Sequence, residues 1–133
     1  MRLFTVSIAS LVALSLAGCG SGSSPVQAQY QPQITNLTDS FGFQLTGVTN
    51  GDGSLSYSWQ NTGTSASVDR SSNISSGTVT LTLRDAANVE VYKAALNGVS
   101  GSVQTASGTP GNWTISVDFS QTTGTINFRT QKQ

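Results

Sequence analysis

The chain of 133 residues contains no histidine and a single cysteine, and these two scarcities limit its chemistry. Without histidine, the Ser-His and Cys-His pairs of nucleophilic catalysis cannot form. Imidazole is missing and there is only one thiol, so the usual zinc, iron and copper sites are also excluded. No glycine-rich phosphate loop precedes a predicted helix. We therefore expect no enzymatic activity and no cofactor.

Charge is also scarce. Charged residues make up 9% of the chain, with six basic and six acidic side chains, whereas about 25% is ordinary for a soluble domain. This composition excludes the basic surface that a nucleic-acid-binding protein needs, and it leaves no cationic patch for a membrane surface. Ser, Thr, Asn, Gln and Gly take the place of charge. Such a composition is typical of an extracytoplasmic β-domain with hydroxyl- and amide-covered outer faces.

The N-terminus has the three parts of an export signal. Arg2 supplies the positive charge, an apolar stretch runs from Leu3 to Leu16, and small residues follow it. The stretch is too short and too rich in serine to span a bilayer, which takes about 20 apolar residues. It ends in Leu16-Ala17-Gly18-Cys19, which resembles the lipobox of bacterial lipoprotein precursors. The resemblance implies cleavage before Cys19 and a diacylglyceryl group on its thiol. The alternative is an ordinary secretory peptide that leaves an unlipidated cysteine.

The lipobox resemblance also predicts an address. In many two-membrane bacteria, an aspartate directly after the lipidated cysteine resembles an inner-membrane retention signal. This chain has Gly20 at that position, so we expect an outer membrane lipoprotein facing the periplasm or the cell surface. In an organism with one membrane, the outer leaflet of that membrane takes its place. We divide the chain into a signal peptide at residues 1–18, a lipidated cysteine with a flexible Gly/Ser/Pro/Gln tether at 19–33, and one domain at 34–133.

After this segment, apolar and polar residues alternate, which indicates half-buried β-strands. The clearest case is the run from Trp113 to Phe119. Turn sequences are expected at 50–53, 85–88 and 121–124, weaker strands at 64–69 and 100–106, and a bulge near Tyr92. The pattern is that of an antiparallel sandwich or barrel. We favour an all-β antiparallel β-sandwich (jelly-roll or Ig-like) of about seven or eight short strands, since two packed sheets need one apolar face per strand.

The predicted core consists of the large apolar residues that share one face of these strands: Phe41, Phe43, Leu45, Tyr57, Trp59, Val79, Leu81, Leu83, Ile115, Val117, Phe119, Ile126 and Phe128. The segment 77–129 contains Thr-Leu-Thr-Leu-Arg-Asp-Ala-Ala-Asn-Val-Glu-Val-Tyr and later Gly-Thr-Pro-Gly-Asn-Trp-Thr-Ile-Ser-Val. It resembles the pre-peptidase C-terminal and related jelly-roll sandwiches of secreted bacterial proteins. That resemblance implies an accessory, non-catalytic module.

Three groups of residues have the composition of a site. Asn50, Asp52 and Ser54 place oxygen atoms at alternate positions, as a calcium loop does, but the same Asn-Gly-Asp-Gly sequence is typical of a tight hairpin turn, which we favour. Asp85 and Glu90 flank one turn and could pair as glycosidase carboxylates, although a solvated hairpin end explains them better. Tyr57, Trp59 and Trp113 could stack on sugars, although burial in the core is the first explanation of aromatic residues at alternating positions.

The function predicted from the sequence is a lipid-anchored cell-envelope β-sandwich with a binding or structural role towards an envelope protein. The alternative is a carbohydrate-binding module that uses exposed aromatic residues. In both, the lipid on Cys19 attaches the chain to a membrane, and no nucleic acid or metal is involved.

Overall fold

The computed structural model describes residues 24–133, which form eight strands and one short helix. In chain order these are β1 Ser24–Pro25, α1 Val26–Gln29, β2 Gln33–Leu37, β3 Ser40–Asn61, β4 Ala66–Arg70, β5 Asn73–Arg84, β6 Glu90–Ala95, β7 Gly101–Gln104 and β8 Gly111–Lys132. The pairings are antiparallel, except for a two-residue parallel pairing of β1 with β3. The predicted all-β class is confirmed.

Strands β3 and β8 organise the molecule, because each is 22 residues long and they pair with each other from end to end. The register shifts three times between Leu45 and Gly53. At these bulges Asn50 has a φ of 46° and Gly53 one of 119°; across the ladder, Gln121 has 46° and Gly124 has 142°. Both strands bend here together. The predicted turns at 50–53 and 121–124 are therefore wrong as hairpin ends, because the strand pairing continues through them.

The bends fold the sheet onto itself. A straight strand would place Phe41 and Tyr57, 16 residues apart in the sequence, about 50 Å from each other. Their ring centroids are 5.5 Å apart. The first layer therefore contains β2, residues 40–48 of β3, residues 124–132 of β8, β4 and β7. The second layer contains residues 53–61 of β3, residues 111–119 of β8, β5 and β6. This is a sandwich whose two layers share their two central strands.

The core lies between the two layers. All predicted core residues are buried except Tyr57, which is half-buried and packs against the cluster. Seven further apolar residues are buried: Val26, Val48, Ala66, Val68, Val91, Leu96 and Trp113, the last of which begins the alternating run 113–119. Stacked rings stabilise the centre of the first layer, where Phe43 and Phe128 lie 5.1 Å apart at an interplanar angle of 12°.

The shorter elements follow the sequence pattern closely. The weaker strands expected at 64–69 and 100–106 are confirmed as β4 and β7. Asn88 N–H donates to the Asp85 carbonyl at 2.9 Å, which closes the predicted turn between β5 and β6. The register of these strands slips between Leu83↔Tyr92 and Arg84↔Glu90, so Val91 is the extra residue of the predicted bulge. Strand β2, by contrast, was not predicted.

Part of the expected tether packs against the domain. Val26 is fully buried in the core, and the Tyr30 hydroxyl both donates to the Thr49 carbonyl (3.3 Å) and accepts from its N–H (3.0 Å). The side chain of Val26 fits because Gly51 has none: a Cβ on Gly51 would lie 2.8 Å from Val26 Cγ1. Burial of one valine and pairing of β1 fix a segment whose composition suggested a flexible linker.

The signal segment and Cys19 lie outside the described residues, so lipidation of Cys19 stays a prediction. Among residues 24–133, no helix has both the length and the apolar character that crossing a membrane requires.

Candidate functional site

The two tryptophans proposed as sugar-stacking residues are inside the protein. Trp59 and Trp113 are fully buried and pack edge to face, with ring centroids 5.9 Å apart and an angle of 84°. Both indole N–H groups are used internally: Trp59 donates to the Leu37 carbonyl at 3.1 Å and Trp113 to the Thr109 carbonyl at 2.8 Å. Neither ring face is available to a ligand. Alternation places both side chains on the apolar face of the second layer, so they are core residues rather than sugar-stacking residues.

Tyr57, the third aromatic candidate, is half-buried between the layers. Its ring lies against Phe41 at 5.5 Å and Phe43 at 6.1 Å, and burial raises the pKa of its hydroxyl above the ordinary value of 10.0. A half-buried ring that packs against two core aromatic residues belongs to the edge of the core. The interpretation of the domain as a sugar binder with exposed aromatic residues therefore has no support among the described residues.

The candidate calcium ligands serve a different purpose, which is to join the two bends. They are Asn50, Asp52 and Ser54. Asn50 N–H donates to Thr123 Oγ1 at 3.1 Å, Asp52 Oδ1 accepts from Gln121 N–H at 2.7 Å, and Ser54 donates to Asp118. Each therefore bonds to a different residue of β8. Within residues 24–133, no cluster of three or more His, Cys, Asp or Glu side chains could hold a metal ion.

Asp85 has a structural role and Glu90 does not share it. The Asp85 carboxylate is buried and accepts three backbone N–H groups, from Val89 (2.8 Å), Ala87 (3.0 Å) and Thr109 (2.8 Å). The Thr109 N–H bond, followed by those of Val89 and Ala87, lowers its pKa below the ordinary 3.8, although burial opposes this. Glu90 is exposed. Backbone donors therefore occupy the Asp85 carboxylate, which favours a hairpin end over a glycosidase pair.

A groove lies on the outer face of the first layer, and we call it the Gly42 groove. Three adjoining depressions of about 130, 200 and 230 Å³ form it. The first and second share Gln33 and Gln44, and the first and third share Thr35, Gly42 and Arg129. The groove therefore follows β3 from the bend towards the turn at 38–39.

Strand register explains the shape of the Gly42 groove. Gly42 pairs with Thr35 of β2 on one side and with Arg129 of β8 on the other. A Cβ added to Gly42 would lie 3.6 Å from Thr35 Cβ and 3.9 Å from Arg129 Cγ. The glycine is thus the floor, and its two cross-strand neighbours are the walls. Sequence reasoning missed this site because each lining residue is an ordinary polar residue on the solvent side of its strand.

Amides and one cation supply the chemistry of the groove. Gln33 and Gln44 face each other across β2 and β3, and Asn127 is the next partner across β8. Arg129 is exposed, and within residues 24–133 its guanidinium has no hydrogen-bond or ion-pair partner. The nearest acidic position in the ladder is Asp69, its register partner on β4.

Strand β2 offers a second accessible feature at the edge of the first layer. It pairs with β3 along one side, it contains no charged residue, and its Leu37 side chain is 61% exposed. Two hydrogen bonds, from Asn36 Nδ2 to the Ser58 carbonyl and from Trp59 Nε1 to the Leu37 carbonyl, tie its end to the second layer.

No protein-family model matches this chain, and no curated protein matches it either. The resemblances to lipoprotein precursors and to pre-peptidase-type sandwiches therefore stay predictions.

Proposed function

We propose that this chain is a lipid-anchored β-sandwich of the bacterial cell envelope with a non-catalytic role, and that it binds an envelope protein at the edge of β2. The observation that carries the proposal is the outer edge of β2, which no other strand within residues 24–133 covers and which has five uncharged residues and an exposed Leu37. Natural proteins usually protect sheet edges with charge, proline or bulges, because an unprotected edge pairs with other chains. The partner is an extended segment that adds as a strand and places an apolar side chain beside Leu37.

The anchor and the edge fit together in this proposal. Ser24 is the first described residue, and it already pairs with Gly51 at the bend. Even fully extended, the chain from Cys19 to Ser24 spans at most about 18 Å. Acylation of Cys19 would therefore hold the bend of the sandwich close to the lipid surface. Two or more acyl chains anchor a protein stably, whereas one binds only reversibly.

The anchor is tested by fractionation of cells that express the full chain. We expect the unaltered chain in the membrane fraction and Cys19→Ser in the soluble fraction, with diacylglycerol found on residue 19 by mass spectrometry. A free thiol on residue 19 of the exported protein would refute the anchor.

The edge is tested by photo-crosslinking in living cells, with a benzophenone amino acid at the exposed turn residue Thr38. We expect one discrete protein adduct. Leu37→Lys in the same chain should abolish the adduct because a charge blocks strand addition. Val89→Lys is the matched control, since Val89 is also exposed, at 57%, and lies in another turn. Absence of an adduct, or equal adducts in both lysine variants, would refute binding at β2.

A further inference from the structure

A second binding site follows from the Gly42 groove, which β2 helps to line but which does not depend on strand addition or on the anchor. Its floor is a glycine between two strands, and its length follows β3 past Gln44 to Thr46. A groove that runs along a sheet fits a linear polymer rather than a compact small molecule. The polymer would lie along the outer face of the first layer.

The side chains that line the groove favour a hydroxyl-rich ligand. Gln33, Gln44 and Asn127 form a row of three amides across β2, β3 and β8. Each amide carries both a donor and an acceptor, the combination that pairs with sugar hydroxyl groups. Exposed apolar side chains are scarce here, since Leu37 and Val89 are the large exposed ones among residues 24–133 and neither lines the groove.

Arg129 adds selectivity for negative charge. The Arg129 side chain forms one wall of the groove, with its Cγ beside Gly42, and its guanidinium has no hydrogen-bond or ion-pair partner within the described part of the chain. The planar fork of a guanidinium binds a carboxylate with two parallel hydrogen bonds. Asp69, the register partner of Arg129 on the neighbouring strand β4, is the nearest acidic position in the ladder and makes no ion pair with it within residues 24–133. The site thus combines one group that binds a carboxylate strongly, the Arg129 guanidinium, with a row of neutral hydrogen-bonding groups.

We propose that the Gly42 groove binds an acidic polysaccharide, a linear chain of carboxylate-bearing sugars. One carboxylate pairs with Arg129, the sugar hydroxyls bond to Gln33, Gln44 and Asn127, and the backbone of the polymer passes over Gly42. No aromatic platform is involved, which distinguishes this site from a sugar-stacking surface.

The test is isothermal titration of the full chain, purified in detergent, with oligogalacturonate as the probe and malto-oligosaccharide of equal length as the neutral comparison. We expect binding of the acidic oligosaccharide alone. Arg129→Gln should lower its affinity at least about tenfold, since charge-assisted hydrogen bonds are lost. Lys93→Gln is the control, because it also removes one positive charge, from an exposed position on β6 in the other layer. It should leave the affinity for the oligosaccharide unchanged.

Gly42→Thr tests the geometry of the groove. The φ of Gly42 is not in the left-handed region, and the added Cβ meets its neighbours at ordinary contact distances, so we expect the variant to fold and lose the oligosaccharide. Circular dichroism checks the fold, and Ser56→Thr on the outer face of the second layer is the control for the added bulk. If Gly42→Thr does not fold, Arg129→Gln still tests the proposal.

Three outcomes would overturn this inference: no binding of oligogalacturonate, equal binding of the neutral oligosaccharide, or full binding by Arg129→Gln. Leu37→Lys should bind the oligosaccharide like the unaltered chain. A failure of protein crosslinking at β2 is therefore separable from a failure of the groove.

Discussion

The side chain of Val26 occupies the space above Gly51 that any other residue at position 51 would fill. A Cβ there would lie 2.8 Å from Val26 Cγ1 and 2.6 Å from Val48 Cγ1. Gly53 extends the same notch, since its Cβ would lie 3.4 Å from Val26 Cγ2. Gly51 and Gly53, which the sequence pattern assigned to a hairpin turn, thus leave the space in which Val26 packs. Through this contact the segment around Val26 joins the core at the bend.

The fit of Val26 predicts a measurable stability. Val26→Ala should lower the free energy of unfolding by about 2 kcal/mol, because two buried methyl groups are lost and a cavity remains. Val89→Ala, the same change at an exposed position, should have almost no effect. Urea denaturation measures both. Equal effects of the two substitutions would mean that Val26 is not packed in the core.

The double variant tests the contact itself. Gly51→Ala should destabilise the domain through the two close contacts, and adding Val26→Ala should recover part of the loss because one of them is removed. Strict additivity of the two substitutions would contradict the contact between these residues.

Gly77 and Gly98 form a matched pair for backbone geometry. Both have positive φ, 74° and 64° respectively. A Cβ on Gly77 would lie 2.2 Å from the Gln121 carbonyl oxygen, whereas a Cβ on Gly98 would meet nothing within 4 Å. We expect Gly98→Ala to cost about 1–2 kcal/mol for its left-handed conformation, and Gly77→Ala to cost on the order of 3 kcal/mol or more. Thermal unfolding should show that order, and the reverse order would contradict the close approach of β5 and β8.

A buried threonine offers a stabilising substitution. Thr130 is fully buried and its Oγ1 has no hydrogen-bond partner, whereas the buried Thr122 donates to the Thr78 carbonyl at 3.0 Å. Thr130→Val should therefore raise the unfolding free energy by about 1 kcal/mol. Thr122→Val should lower it by a similar amount, because the Thr78 carbonyl loses its donor. A loss of stability in Thr130→Val would show that its hydroxyl is satisfied.

Asp85 makes stability depend on pH. Its pKa in the folded protein is lowered from 3.8, chiefly by the N–H of Thr109, so its carboxylate stabilises the fold above that pH and the effect is lost as pH falls through the lowered value. Asp85→Asn should be destabilised at pH 7, because its amide group would meet backbone donors. The difference from the unaltered chain should narrow steadily as the solution is acidified below about pH 3.8.

Urea denaturation from pH 7 to pH 2 tests this prediction. Glu90→Gln is the control for a charge lost at the same turn and should retain the stability of the unaltered chain at pH 7, since Glu90 is exposed. The pKa of Asp39, whose carboxylate accepts the Thr62 N–H, is also lowered. Because Asp39 is present in every variant, its contribution cancels when the stabilities of the variants are compared. A constant difference across the pH range would contradict the role of Asp85.

The strands and the core could be read from the chain because alternation is a local property. Residues 113–119 place every second side chain between the layers, whatever the rest of the fold does. The bulge at Val91 was equally visible, as a slip in that alternation. The Gly42 groove was not visible. Its lining residues come from β2, β3 and β8, and nothing in their spacing shows that Thr35, Gly42 and Arg129 become neighbours.

The residue pattern alone therefore established the all-β class, the faces of the strands and the polar outer surfaces, since each depends on neighbours two residues away. Whether Asn50-Gly51-Asp52-Gly53 ends a strand or bends one was settled only by the pairing of β3 with β8, because a left-handed glycine suits both. The location of Val26 depended on the same strand pairing. The space that its side chain fills beside Gly51 exists only after residues far apart in the chain have come together.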